Sequence, residues 1–77
     1  MKKLDDTSIC CLVRYNSRLV YVEALTIDSG FQILFNSKPV AQIEMTENFK
    51  WEITNGAILP DEILAEIGAR IERKFNN

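Results

Sequence analysis

Residues 31–54 read FQILFNSKPVAQIEMTENFKWEIT, and the alternation within this stretch sets the fold class. Phe31, Ile33 and Phe35 alternate with Gln32, Leu34 and Asn36. Ala41, Ile43 and Met45 alternate with Gln42, Glu44 and Thr46, and Phe49, Trp51 and Ile53 with Lys50, Glu52 and Thr54. A strand turns successive side chains to opposite faces, so a period of two marks strands with one face on a core and the other in water. The polar clusters Asn36-Ser37-Lys38 and Thr46-Glu47-Asn48 separate the runs. Connections this short suit hairpins and exclude parallel crossovers. Three-residue turns would set Phe35 opposite Pro39 and Met45 opposite Phe49. Pro39 begins its strand, where a missing N–H is tolerated.

Working outward, the same punctuation recurs upstream at Asn16-Ser17 and Asp28-Ser29-Gly30. It leaves strands at about 8–15, 18–27, 31–36, 39–46 and 49–54, joined as a meander. A two-residue turn at Asn16-Ser17 pairs Tyr15 with Arg18, so Ile9, Cys11 and Val13 fall beside Val20, Val22 and Ala24. A three-residue turn at Asp28-Ser29-Gly30 instead puts Leu25 and Ile27 on the face of Phe31 and Ile33. Odd and even residues of one strand share a face only across an extra residue, so a β-bulge in strand 2 near Glu23-Ala24 is expected. The core layer then holds Ile9, Cys11, Val13, Val20, Val22, Leu25 and Ile27.

Downstream, Pro60 suits the first position of a helix, and Asp61 and Glu62 place negative charge at its positive end. Arg70, Arg73 and Lys74 match the opposite end, and Glu66 and Arg70 form a favourable i,i+4 pair. Ile63, Leu64, Ile67, Ile71 and Phe75 make one stripe at helical spacing. Burying those five stabilises the fold by on the order of 10 kcal/mol as an upper bound. The expected fold is α+β: a five-stranded antiparallel β-meander with one C-terminal amphipathic α-helix packed on one face. Residues 1–7 read as a disordered tail and 8–77 as a single domain. Gly68 stands mid-helix on the buried side, at a cost of about 1 kcal/mol relative to alanine. Close approach of helix to sheet beside a bulky ring explains it; a helix crossing between protomers is the alternative.

Composition narrows the chemistry. The 77 residues are 47% apolar and 26% charged, an ordinary globular balance, with a net charge of -2. That charge argues against a nucleic-acid partner, whose usual footprint is basic. The apolar run Ile9–Val13 is bounded by Asp5, Asp6 and Arg14, too short for a signal or a membrane span, so a cytoplasmic location is expected. Adjacent Cys10 and Cys11 cannot staple distant segments. With no histidine, the commonest general base, the Ser–His and Cys–His pairs and most zinc sites are excluded. Glu44 and Glu52, on neighbouring strands, fit a solvated face better than a catalytic pair. No catalytic, cofactor or metal residue is assigned.

Function is left to surfaces. The outer face carries Leu12, Leu19 and Tyr21 on strands one and two, with Cys10 beside them and Leu34 nearby on strand three. Such contiguous apolar area marks interaction surfaces. These five residues are the candidate interface of a non-enzymatic, self-associating protein-interaction domain, expected to be a homodimer. One helix about 24 Å long and 10 Å wide also leaves part of a sheet about 20–24 Å across uncovered, which adds a second reason for a partner. The alternative is a single-stranded nucleic-acid-binding module, with Trp51, Phe49, Phe31 and Phe35 as a stacking platform. A meander followed by a helix is similar in broad topology to the Whirly-type single-stranded-DNA-binding coactivators, and that likeness implies such a groove. The basic stretches that line it in that family are missing here, and the four aromatics lie on the face assigned to the helix.

Overall fold

A computed structural model describes residues 8–75, with Phe75 as backbone only. The tail assigned to residues 1–7 and the place of the Phe75 side chain on the helical stripe lie outside the described residues. Strands β1 (Ser8–Tyr15), β2 (Arg18–Ile27), β3 (Gly30–Phe35), β4 (Lys38–Met45) and β5 (Trp51–Gly56) form one sheet in chain order, followed by α1 (Asp61–Phe75). Every neighbouring pair is antiparallel. The α+β architecture expected from the alternation is the one observed.

Turn chemistry fixes the register. Asn16-Ser17 and Asn36-Ser37 are two-residue turns with positive φ at both positions, 54° and 65° in the first, 51° and 73° in the second. That combination has the twist that antiparallel strands need at a tight hairpin. β2 pairs without interruption with both β1 and β3, so the bulge expected in strand 2 is absent. The Asp28-Ser29 turn has two residues rather than three, because Gly30 enters β3 opposite Ile27. A Cβ on Gly30 would overlap the Ile43 carbonyl of the adjoining strand, so only glycine fits there. Removing one residue from the turn inverts parity and dissolves the conflict. Val20, Val22 and Ala24 stay on the core face, and Leu25, expected inside, is 39% exposed. Ile27 is half-buried.

Bulges occur further along. The β3–β4 register shifts between Ile33 and Leu34 and the β4–β5 register between Gln42 and Ile43. The Asn36-Ser37 turn sets Phe35 opposite Lys38 rather than Pro39, and the extra residue Val40 then restores Ile33 to Ala41 and Phe31 to Ile43. A shorter turn and a bulge cancel. The β4–β5 connection is longer than expected. Thr46 Oγ1 accepts from the N–H groups of Asn48 and Lys50 at 3.2 Å each, and Phe49 takes a φ of 62°. Phe49 is therefore a turn residue, 79% exposed, and not part of the core. Met45 pairs with Trp51 and Ile43 with Ile53, two residues from the expected register. A shift of two keeps the faces, although Met45 at the strand end is 38% exposed.

The helix lies across the core face. The Pro60 carbonyl accepts from the N–H groups of Ile63 and Leu64 at 3.0 Å each, which opens α1. Ile63, Ile67 and Ile71 are buried and Leu64 is half-buried. Leu59, in the connection from β5, closes the core at 4% exposure. A Cβ on Gly68 would overlap the Trp51 indole, so the close approach beside a bulky ring is what the glycine permits. The ring is also held by a 2.8 Å hydrogen bond from Nε1 to Glu72 Oε2 and by an edge contact with Phe31. Among the strands, α1 approaches the two outermost, β1 and β5, most closely. Thirteen side chains from Ile9 to Ile71 are thereby buried to 9% exposure or less within one chain. Around them Tyr15, Phe31, Phe35, Val40, Trp51 and Ile53 are only half-buried, so part of the core face stays wet under the single helix, as expected.

Candidate protein interface

The uninterrupted β1–β2 ladder brings the candidate residues together. Leu12 lies opposite Tyr21, Arg14 opposite Leu19 and Cys10 opposite Glu23, which in turn faces Leu34 on β3. Alternation puts all of these on the side of the sheet away from α1, because their neighbours Cys11, Val13, Val20 and Val22 are in the core. Leu12 is 56% exposed, Leu19 61% and Tyr21 41%. Cys10 is exposed and Leu34 half-buried, so Leu34 sits at the margin of the patch. Leu25, on the same side of β2, extends the apolar strip. Sequence reading missed it because a turn one residue too long had placed it inside; the Gly in Asp28-Ser29-Gly30 was the signal that a two-residue turn was available.

Polar contacts order the patch. The Tyr21 N–H donates to Asn36 Oδ1 at 3.1 Å and the Asn36 N–H donates to the Tyr21 carbonyl at 2.7 Å. Both main-chain groups of Tyr21 thus point toward β3, away from Leu12. The Cys10 thiol, diagonal to Tyr21 across the ladder, holds the Tyr21 hydroxyl above its ordinary value of 10.0, first through their hydrogen bond and then through their mutual charge repulsion. On the core side, burial pushes the Cys11 thiol above 9.0, against the attraction of Arg70.

A broken groove of two separate hollows lies between β1 and α1. At one end it is lined by consecutive residues from Leu12 to Asn16 together with Pro60, Glu62, Ile63 and Glu66. At the other end Ser8, Ile9 and Cys10 meet Arg70, Arg73 and Lys74. Consecutive strand residues of both faces line it, so its wall is the strand's edge. Glu62 and Arg14 stand where α1 begins and Arg73 and Lys74 where it ends, with Glu66 and Arg70 bonded to each other at 3.1 Å between them. Comparison with protein-family models, curated proteins and solved structures gives no match for this chain.

The aromatic residues weighed as a stacking platform are divided. Trp51, Phe31 and Phe35 are half-buried and pack against the core, Phe35 with its ring edge toward Tyr15 at 5.6 Å. Phe49 is exposed in the β4–β5 turn. Glu44 and Glu52 are direct cross-strand partners, with Glu44 Oε2 accepting from Ser29 Oγ at 3.0 Å. They stand on an open sheet face. Among the described residues, no helix is long and apolar enough to cross a membrane.

Proposed function

We propose that this chain is a non-enzymatic protein-interaction domain that self-associates as a homodimer through its first hairpin. The observation that carries the reading is the Leu12, Leu19 and Tyr21 cluster on the outer face of β1 and β2. Apolar side chains gathered there gain from leaving water, at about 25 cal/mol per Å² covered, and a two-fold contact covers the same patch on both subunits. Cys10 and Leu34 form its margins. The chemistry required is burial alone, which fits a chain without histidine.

Sedimentation equilibrium tests this directly. The expected mass is twice 8.8 kDa at high micromolar concentration, and replacing Leu12 with Glu and Tyr21 with Lys should return the single-chain mass. A single-chain mass for the unmodified protein at that concentration refutes the reading. The exposed Phe49, next to Lys50, favours the competing single-stranded nucleic-acid module. Three of the four platform aromatics pack against the core, and binding to single strands at 0.15 M salt is expected to be weaker than micromolar.

A further inference from the structure

We infer that two copies join edge to edge, β1 against β1 about a two-fold axis at Leu12, to make one continuous antiparallel sheet. This rests on the self-association proposed above and specifies its geometry. Within the described residues β1 pairs with a strand, β2, on one side only. The direction of the main-chain groups follows from Tyr21. Its N–H and C=O both engage Asn36 on the β3 side, so Tyr21 and Leu12 form a non-hydrogen-bonded pair of the β1–β2 ladder. By the same alternation Cys10, Leu12 and Arg14 direct their N–H and C=O groups out of the sheet edge. An edge of this kind is a template for another strand. β1 contains no proline and no bulge, and its one charged side chain, Arg14, points to the outer face.

Charge selects the occupant. Beside this edge Glu62 stands near the start of α1, with Arg14 in the same lining, and Arg73 and Lys74 stand near its end, while Glu66 and Arg70 are bonded to each other within the chain. An antiparallel two-fold pairing reverses one copy relative to the other, so Glu62 of each copy comes to the end where the other carries Arg73 and Lys74. A second copy of the chain therefore matches the groove in both strand direction and charge. With the axis at Leu12, the outward groups of Cys10, Leu12 and Arg14 meet those of Arg14, Leu12 and Cys10 of the partner. The two Leu12 side chains then touch on the outer face, each beside its own Tyr21, while Tyr21 and Leu19 on β2 stay on the open face of the joined sheet.

Amide hydrogen exchange read by NMR over a range of concentrations, alongside the mass, tests this on the unmodified chain. Protection at the Cys10, Leu12 and Arg14 amides that rises together with the dimer fraction supports edge pairing. A dimer whose three amides exchange quickly at every concentration overturns the edge geometry while leaving the hairpin's outer face as the interface. A single-chain mass overturns both, including the case in which the amides are protected at all concentrations because residues 1–7 of the same chain cover the edge. Charge exchange gives a second reading, with far-UV circular dichroism as the check on folding. Glu62→Lys and Arg73→Glu should each weaken the dimer on the order of fivefold, since each affects two symmetry-related contacts. Their combination in one chain should recover most of that loss, and no recovery overturns the alignment of the two grooves.

Discussion

At the scale of single residues, Gly68 and Trp51 determine how near the helix can lie to the sheet. Alanine is the better helix former by about 1 kcal/mol, yet its methyl would occupy space filled by the indole. The ring cannot turn aside cheaply, because Glu72 and Phe31 hold it. Gly68→Ala should therefore lower stability by a net ~1–2 kcal/mol in urea unfolding, and a gain would show that the ring yields freely. Ser17 and Ser37 present the opposite case, since each holds a positive φ that a side chain disfavours. Ser17→Gly and Ser37→Gly should each raise stability by about 0.5–1 kcal/mol. Cys11 links stability to pH. Its thiol titrates above 9.0 when folded, so the folded state retains a proton that the unfolded chain releases. The resulting stability is complete below about pH 8.5 and is lost as pH rises through the folded value. Cys11→Val should flatten the alkaline limb of the pH–stability curve; an unchanged limb would assign that loss to another group.

Among the elements, the cross-strand pair Glu44 and Glu52 on β4 and β5 sets like charges directly opposite each other. Glu52→Lys should stabilise the sheet by about 0.5 kcal/mol, and the gain should shrink in 1 M salt because the pair is exposed to screening. The strands themselves could be read from their alternation, and the helix from the spacing of Ile63, Ile67 and Ile71. The turns were less readable, because Asp28-Ser29-Gly30 and Asn36-Ser37-Lys38 fit two-residue and three-residue connections equally well on residue type. One wrong length misplaced Leu25, whereas the other was compensated by the bulge at Val40. Phe49 misled for a different reason: alternation continued through it, but the Thr46 hydroxyl captured the backbone into a wider turn. Leu12, Leu19 and Tyr21 stayed together on one face despite these errors because β1 and β2 meet at Asn16-Ser17, the one turn whose length was read correctly.

For the whole molecule, the half-buried margin of the core face and the outer face and edge of the first hairpin are the two surfaces left for a partner. Association of folded chains couples stability to concentration, so the melting temperature should rise as the protein is concentrated from low to high micromolar. A melting temperature independent of concentration over that range would speak against a dimer. The contact of α1 with β1 has a further effect, on the order of events during synthesis. Each strand meets its neighbour soon after both are made, so the ladders can zip up in sequence. β1 receives its cover only when α1 is complete, some sixty residues later, or about 3–12 s at ordinary rates of translation. Throughout that interval Ile9, Cys11 and Val13 stand uncovered at the ribosome, so aggregation of nascent chains should depend more on how quickly the last fifteen residues of α1 follow than on any property of the finished fold.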